Sequence, residues 1–369
     1  MATKKTSLGQ RLRENLRIVW AITAKDITDA LKNRATLSIL LTTLFVIVAY
    51  RLLPVLEGNN HLTNVLVYDA GNSTLVASLE ESLHLQVYTY SSLDRMQHAL
   101  RGGDMPELGL VIPAGFDQAL AAGQPPEVQG YTLYWVSAED AKALRTLVEE
   151  EIIALVGQPV RIHVESNRVY PGADSTGNAF LTAFALIYVT TMVGLMLVPH
   201  LMIEEKQNKT LDVLLVSPAS AGQIVLGKGL TGLFYTLISV GVVFALNLKF
   251  VVNWPLVLLA TLCGAALGVA LGLLLGSTLE VKQQLSLWAW VLIIPLLLPV
   301  FLSMMAPLLP EAAVSVIDWI PTVALSRAFR LSFSDAAPLA QFGPELALVA
   351  GCALLAGIAV VWVVRRSDR

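Results

Sequence analysis

The chain has 369 residues, of which 55% are hydrophobic and only 14% charged, with a mean hydropathy of +0.64. Soluble globular proteins contain about 25% charged residues and disordered chains contain few apolar ones, so the composition excludes both classes. The net charge of −3 and the scattered lysines and arginines argue against nucleic-acid binding. Both cysteines lie in apolar runs, which predicts neither a disulfide nor metal ligands.

Six apolar runs have the length and composition of membrane-spanning helices. A spanning helix needs about 20 predominantly apolar residues, and each run has roughly that length without interior charge. The predicted fold class is therefore a polytopic α-helical membrane protein with six transmembrane helices and an α/β extracytoplasmic domain inserted between helices 1 and 2. The six helices are predicted at residues 36–56, 180–198, 229–248, 256–277, 287–306 and 346–364.

Residues 1–35 precede the first span. Their pattern of apolar and basic residues predicts an amphipathic interface helix on the cytoplasmic membrane surface. Basic residues are concentrated here and in the tail at 365–369, so the positive-inside rule places both termini in the cytoplasm. The alternative role of this helix is electrostatic anchoring to anionic lipid, at about 1 kcal/mol per basic residue. Apolar residues recur along it at steps of three and four, at Leu12, Leu16, Val19, Trp20, Ile27 and Leu31.

Residues 57–175 alternate between strand and helix patterns, which predicts one folded α/β domain outside the membrane. The segment contains sixteen acidic and six basic residues, and it has no motif of a metalloprotease or an esterase. No catalytic or metal-binding residue is therefore predicted. Strands are predicted at 64–69, 86–90, 108–112, 128–134 and 160–166, and helices at 73–83, 93–101, 115–122 and 140–156.

The loop after the second span contains a charged group followed by an apolar stripe. It begins Glu204-Glu205-Lys206, and its later leucines and valines recur at helical spacing before a Ser-Pro pair at 217–218. This spacing predicts a short amphipathic helix parallel to the membrane. The alternative is a helix that lies on lipid and binds no partner.

Two later spans carry residues that shape helix packing. Glycines at every fourth position of the fourth span predict close approach of another helix, and prolines in the fifth span predict a kink or a break. The glycines are Gly264, Gly268, Gly272 and Gly276, and the prolines are Pro295 and Pro299.

The sequence indicates no energy source within the chain. The span centres lack ionisable residues, and those near span ends, among them Lys228, are expected to extend to the membrane surface. Residues 222–228 fit the spacing of a phosphate-binding loop, but Gly229 replaces the Ser or Thr that binds magnesium, and no strand precedes them. The longest cytoplasmic connection is about 30 residues, too short for an ATPase domain, so a partner must hydrolyse any ATP.

The loop at 204–218 resembles the permease subunits of type-2 (ABC-2) ABC exporters. That family has a Glu-Glu-Lys, Gly-Thr-Leu-Glu, Leu-Leu-Val-Ser-Pro pattern between its second and third spans, and the order of spans and domain is also similar. Asn208-Lys209 and Asp212 depart from the pattern. The resemblance implies a coupling helix at 204–218 that fits a cleft on an ATP-binding subunit, through Glu204, Glu205, Lys206, Thr210, Leu211, Leu214, Leu215, Ser217 and Pro218.

The resemblance also implies partners and an outer gate. The expected partners are two cytoplasmic ABC ATP-binding subunits, a second permease copy in a homodimer or heterodimer, and membrane lipids. No cofactor is expected in this chain, because ATP and Mg would be bound by the partner ATPase. Residues 307–343 are expected to form an outer re-entrant gate segment with Pro321, Arg327 and Arg330, the alternative being an amphipathic helix at the outer headgroups.

The implied function is that of a transmembrane permease subunit of an ATP-driven exporter in the cell membrane. It is a transport subunit and not an enzyme. Spans without charge favour an amphipathic or lipid-like cargo, such as a drug, a lipid or a glycolipid. The alternatives are a sodium-exporting permease of the same family, or a membrane sensor or receptor with an extracytoplasmic ligand domain. A membrane-embedded hydrolase is disfavoured because the spans contain no nucleophile, metal cluster or acid pair.

Overall fold

The structure is a computed structural model that describes residues 8–57, 62–103, 105–164, 167–207 and 220–367. It consists of a helical bundle and an α/β domain that is inserted between the second and seventh helices. The bundle helices are α1 (Leu8–Lys32), α2 (Arg34–Glu57), α7 (Gly177–Met192), α8 (Val198–Gln207), α9 (Ala221–Asn247), α10 (Trp254–Thr278), α11 (Lys282–Leu302), α12 (Glu311–Asp318), α13 (Pro321–Ser332) and α14 (Leu339–Ser367).

Within the described residues, five helices are long and apolar enough to cross a membrane: Gly177–Gln207, Gly222–Phe250, Trp254–Thr278, Lys282–Ala306 and Leu339–Arg366. Two bent pairs also meet this test, and counting each as one span gives up to seven. One pair joins α1 to α2 with a bend of 78°, and the other joins α12 to α13 with a bend of 81°. The chain is thus a polytopic membrane protein, and α2 occupies the position predicted for the first span.

The second span is one continuous helical rod with a π-helical segment in its middle. Val193–Leu197 forms that segment between α7 and α8. A π turn holds more than the usual 3.6 residues, so it widens the helix locally. Here it places the backbone of Gly194 against α10: side chains added at Gly268 or Gly272 would collide with the backbone of Thr190 or Gly194.

Helix α10 forms the centre of the bundle because its glycine face accepts neighbours at backbone distance. Beyond Gly268 and Gly272, a Cβ at Gly276 would lie 2.9 Å from Pro199 Cα on α8, and one at Gly264 would lie 2.7 Å from Leu325 Cδ2 on α13. The glycines therefore pack against helices of the same chain.

The α/β domain contains a six-stranded sheet with the order β2-β1-β3-β4-β5, in which β6 also pairs with β4. Strands β1, β2 and β3 are parallel, and β4 is antiparallel to β3. The strands are β1 (Thr63–Asp69), β2 (Leu85–Tyr90), β3 (Leu108–Ile112), β4 (Glu127–Leu133), β5 (Arg161–His163) and β6 (Arg168–Val169), and the helices are α3 (Thr74–Glu80), α4 (Leu93–Arg101), α5 (Phe116–Ala121) and α6 (Ala138–Val156).

Both faces of this sheet are buried. On one face Val65 and Val67 pack in a cluster with the apolar side of α6, and on the other Leu66 packs in a cluster with Met96 of α4. Burial on both faces is typical of parallel strands that are flanked by helices. The strand predicted at 160–166 corresponds to β5, which is shorter, and a further strand that was not predicted, β6, follows outside that range; the two pair with different parts of β4. The sequence missed β6 because a two-residue strand has almost no periodicity.

The domain is fastened to the bundle at the end of β4. Tyr134 Oη donates a hydrogen bond to the carbonyl oxygen of Phe250 at 3.1 Å, and the Trp135 ring packs edge-on against the Phe250 ring at 5.4 Å. At the start of α7, Gly177 has φ +58°, and a side chain there would collide with the backbone of Gly102. Only glycine fits this junction without strain.

Two features of the bundle bear on the sequence-based predictions. For Pro295 and Pro299 a kink or a break was predicted, and the break does not occur, because α11 continues through both prolines, as neighbouring helices permit in a membrane. The last helix begins at Leu339, seven residues before the predicted start at 346, and includes Pro344. Its first residues, 339–343, therefore include the end of the segment that was predicted to be re-entrant, 307–343.

Candidate functional site

Charged side chains gather at the end of the bundle where α1 packs, which we call the α1 end. Lys228, near the start of α9, is 2% exposed. Its Nζ lies 2.8 Å from Asp26 Oδ2 on α1 and 2.6 Å from Glu205 Oε2 on α8. Burying a charge costs several kcal/mol unless an opposite charge lies at hydrogen-bond distance. These three residues, the Lys228 triad, therefore hold three helices together.

A second lysine balances the charge of the triad. Lys25 Nζ lies 3.6 Å from Glu205 Oε1 and 3.8 Å from Asp29 Oδ2, and about half of its side chain is exposed. Two ammonium groups then face the carboxylates of Asp26 and Glu205. Elsewhere in the described parts of the chain, no group of three or more His, Cys, Asp or Glu side chains is arranged to hold a metal ion.

The prediction that Lys228 extends to the membrane surface is wrong. Helix α1 covers the face of α9 that carries this lysine, so the ammonium group meets carboxylates and not the membrane surface. The contact between the two helices is close, since a Cβ at Gly227 would lie 2.7 Å from Ile22 Cγ2. Three polar bonds accompany it: Tyr235 Oη donates to the Ile27 carbonyl at 2.6 Å, Thr23 Oγ1 to the Gly227 carbonyl at 3.2 Å, and Gln223 Nε2 to Asn15 Oδ1 at 2.8 Å.

The buried face of α1 also differs from the predicted apolar stripe. Leu16, Trp20 and Leu31 are 66%, 68% and 54% exposed, while Thr23 and Asp26 are buried. A helix at the edge of a membrane bundle has one side toward protein and another toward lipid, and both tolerate apolar residues. The sequence does contain one indication of this face. Asp26 lies three or four residues from Ile22, Thr23 and Ala30, so it shares a helix face with residues that are buried, as is Val19.

Glu204 connects three further elements at the α1 end. Its Oε2 accepts a hydrogen bond from Asn33 Nδ2 at 2.6 Å, at the junction of α1 and α2. The same oxygen lies 3.5 Å from His200 Nε2 and 3.8 Å from Lys282 Nζ, the latter at the start of α11. The junction of the first two helices is thereby linked to the second span and to α11.

Lys206 closes the end of α10. Its Nζ donates to the carbonyl oxygens of Gly276, Ser277 and Leu279 at 2.8, 3.0 and 3.0 Å. The last carbonyls of a helix have no partner within the helix and carry partial negative charge, so an ammonium group stabilises them. One flexible side chain thus fixes α8 to the C-terminal end of α10.

Three consecutive residues therefore brace the bundle, and we call Glu204, Glu205 and Lys206 the span-2 brace. The sequence had placed them in a separate coupling helix, but they belong to the last turn of α8, which continues the second span. The other residues of the predicted coupling group lie outside the described residues: Thr210, Leu211, Leu214, Leu215, Ser217 and Pro218. The described chain resumes at Ser220, which caps α9 together with Gln223.

A cleft of about 570 Å³ opens beside the brace. Its walls come from α1, from the junction before α2, and from the ends of α8 and α9, and they include Lys25, Asp26, Asn33, Glu204 and Glu205. The charged network is therefore accessible from the α1 end.

The predicted gate residues meet at the opposite end of the bundle, beside the α/β domain. Pro321 begins α13 directly after its sharp bend with α12. Arg327 pairs with Asp318 and lies 3.5 Å from Glu345 Oε1 on α14. Arg330 is buried, donates to the Ser175 carbonyl at 3.1 Å, and lies over the Phe180 ring. The two arginines thus connect α13 to α12, to α14 and to the start of α7, while Pro321 marks the bend.

An apolar cavity of about 350 Å³ lies between α2, α7 and α11. It is lined chiefly by aromatic and aliphatic side chains, with few polar atoms. The rings of Phe184 and Phe301, which both line it, contact each other in a tilted arrangement with centroids 4.5 Å apart. The main lining residues are Val46, Ile47, Phe184, Tyr188, Met192, Asn247, Trp290, Leu297 and Phe301.

The family model of the ABC-2 family transporter proteins matches residues 34–363, almost the whole chain. The chain belongs to this family. No curated protein sequence matches it. This ABC-2 family protein is a multi-pass membrane permease of the ABC transporter class, and the family consists of transport subunits. Membership implies association with ABC ATP-binding subunits.

Proposed function

We propose that the chain is the permease subunit of an ATP-driven ABC exporter. In this proposal it works as a dimer, is coupled to two cytoplasmic ATP-binding subunits, and moves an amphipathic or lipid-like cargo through a path between the two permeases. The α1 end is cytoplasmic and the α/β domain is extracytoplasmic. The observation that supports it most strongly is the span-2 brace, which joins the end of α8 to four other helices, α1, α9, α10 and α11.

The brace explains how force on a short segment would move a whole bundle. Residues 208–218 follow the end of α8 directly, so a push from the ATP-binding subunit reaches the brace first. Glu205 passes it to α1 and α9, Glu204 to the α1–α2 junction and α11, and Lys206 to α10. The α1 end then moves as one unit, because ionic contacts in a low-dielectric setting resist separation.

The outer gate of the proposed exporter is the α12–α13 pair. Its 81° bend turns the chain back toward the α/β domain, a shape that suits a plug at the domain end of the path. Opening it would require Arg327 to release Asp318 or Glu345. These pairs are partly exposed, so their exchange costs little compared with the buried Lys228 triad.

The apolar cavity supports the choice of cargo. The described lining has four aromatic residues, and its polar groups are the Tyr188 hydroxyl, the Asn247 amide and the Trp290 indole N–H, which suits an apolar body that carries a small polar part. The described lining contains no carboxylate, although oxygen ligands of that kind are what a sodium site would use. Sodium therefore remains the second candidate cargo.

Co-purification in nanodiscs tests the proposal. The full chain carrying Leu214→Asp and Leu215→Asp is compared with wild type for retention of the ATP-binding subunit and for cargo-stimulated ATP hydrolysis. We expect loss of both, with the variant still folded. The control is Leu83→Asp, since Leu83 is 86% exposed on the α/β domain. Equal retention in the variant and the control, or a signalling protein in place of an ATPase, would refute it.

A further inference from the structure

A basic cavity lies at the base of the α/β domain, between α6 and the edge of the sheet at β4 and β6. Its volume is about 450 Å³, within the range of about 300–1,000 Å³ that small-molecule sites occupy. Ala138 and Ala141 on α6 leave room on one side, and Thr132 on β4 forms part of the other. We propose that this cavity binds the phosphate-bearing headgroup of an anionic membrane lipid.

The charge of the lining is opposite to that of the domain. Residues 57–175 contain sixteen acidic and only six basic residues, and three of the six line this cavity. They are Lys142 and Arg145 on α6 and Arg168 on β6, and the described lining includes no carboxylate. Three cations at one opening repel one another, which raises the electrostatic free energy of the domain. A bound anion would remove this repulsion. A phosphate group meets this need, because arginine binds it through two parallel hydrogen bonds.

Arg145 has a free donor inside the cavity wall. Its Nε is buried and has no hydrogen-bond partner among the described residues. The nearby Glu149 Oε2 is 3.9 Å away, beyond hydrogen-bond distance, and Glu149 Oε1 accepts from the Ile162 amide at 2.7 Å. A buried donor without an acceptor costs about 1–3 kcal/mol, so such groups point to a missing ligand or ion.

The position of the cavity selects a membrane lipid as the source of the phosphate. Thr132 precedes Tyr134 by two residues, which is about 7 Å along a strand. Tyr134 bonds to Phe250, the last residue of the span Gly222–Phe250, and its amide donates to Val169 beside Arg168. The three cations therefore lie close to the end of the span Gly222–Phe250, which is the outer membrane boundary in the proposed function, and lipid headgroups are concentrated at such a boundary. Basic pockets at such boundaries bind anionic headgroups.

Calorimetry on the full chain tests the assignment. The protein is purified in an uncharged detergent, stripped of lipid, and titrated with dihexanoyl phosphatidylglycerol, with dihexanoyl phosphatidylcholine and with inorganic phosphate. We expect Arg145→Gln with Arg168→Gln to weaken phosphatidylglycerol binding at least tenfold. The matched control is Arg95→Gln with Arg161→Gln, two exposed arginines of the same domain outside the cavity, and its binding should change less than twofold.

Each further outcome decides the proposal. The double variant Arg145→Lys with Arg168→Lys keeps the positive charges. If its affinity for phosphatidylglycerol is within threefold of wild type, the result supports the proposal. Lys142→Gln alone, at an exposed position, should weaken binding about threefold and serves if the double variant does not fold. Equal losses in the cavity and control variants would overturn the proposal. It would also fall if inorganic phosphate bound as tightly as phosphatidylglycerol, because the ligand would then be free phosphate.

Discussion

Lys228 Nζ on α9 lies 2.6 Å from Glu205 Oε2 on α8, and the side chains are 2% and 12% exposed. The pair joins the third span to the last turn of the second, directly before the segment that we propose to contact the ATP-binding subunit. Asp26, 2.8 Å from the same ammonium group, brings α1 into the contact. Predictions for stability and for coupling follow from this one cation.

Replacement of Lys228 by methionine should destabilise the chain strongly. Two carboxylates would remain buried without their cation, and removal of one partner of a buried pair costs about 3–5 kcal/mol. Thermal unfolding in detergent measures the change. The control is Lys25→Met, whose side chain is about half exposed and whose loss should cost below about 1 kcal/mol. Similar shifts for the two variants would show that the triad contributes little.

Replacement of Lys206 by methionine should loosen the end of α10. The variant loses three charge-assisted hydrogen bonds to Gly276, Ser277 and Leu279, and a hydrogen bond to a charged group contributes about 1.5–3 kcal/mol. Amide hydrogen exchange should therefore accelerate in the last turn of α10. Lys282→Met, which removes only a 3.8 Å contact with Glu204, should leave that turn unchanged. Unchanged exchange in the Lys206 variant would contradict the capping role.

Substitution of Gly272 by alanine should disrupt the contact between α10 and the second span. The added methyl group would meet the backbone of Gly194, which cannot move aside as a side chain can. Overpacking of this kind costs about 1–3 kcal/mol or more. Gly241→Ala on α9 is the matched control, because nothing lies within 4 Å of its Cβ position. That control should be neutral or more stable by up to about 1 kcal/mol, owing to helix propensity. A neutral Gly272 variant would argue against close packing.

The α/β domain contains a pH-dependent contact. Ser82 Oγ donates to Glu151 Oε1 at 2.6 Å, and this hydrogen bond holds the pKa of the Glu151 carboxyl below its usual value of 4.5. A lowered folded-state pKa adds stability above the unfolded-state pKa, and that contribution is lost as pH falls through the folded-state value. At pH 7, Ser82→Ala should therefore be less stable than wild type, by under about 1 kcal/mol because the site is partly exposed.

The difference between wild type and Ser82→Ala should narrow as the pH is lowered below 4.5. Thermal unfolding of the full chain at pH 7 and at pH 4 measures it. Ser78→Ala is the control, since Ser78 bonds only to the Thr74 carbonyl in its own helix. A difference that stays constant with pH would mean that Glu151 is not the partner that matters.

Local patterns in the sequence predicted most of the secondary structure. Five of the six predicted apolar runs coincide with helices long and apolar enough to cross a membrane, and the first run forms the second half of a bent pair. The bounds of β3 and α4 match the predicted 108–112 and 93–101. These elements are determined by neighbours within a few residues, so short-range periodicity is sufficient for them. The start of α14 was missed because Pro344 and polar neighbours interrupt the apolar pattern that the rest of the helix follows.

The site was only partly predictable for a different reason. Glu204, Glu205 and Lys206 were singled out by their motif, but their partners were not. Asn33 is 171 residues from Glu204, and Gly276 is 70 residues from Lys206. Pairing over such separations depends on how the helices pack, and a single sequence does not contain that information. The burial of Lys228 has the same origin, since only the docking of α1 distinguishes it from a lysine at the membrane surface.

The π turn at Val193–Leu197 sets the rotational phase of everything that follows it in the second span. A helical residue turns the chain by about 100°, so deletion of one residue here would swing residues 198–207 by more than a quarter of a revolution. Glu205 would then face away from Lys228, and Lys206 away from α10. The π turn therefore fixes the rotation of one half of the second span relative to the other. With this rotation, Gly194 faces α10 in the middle of the bundle, and the three residues of the span-2 brace face their partners at the α1 end.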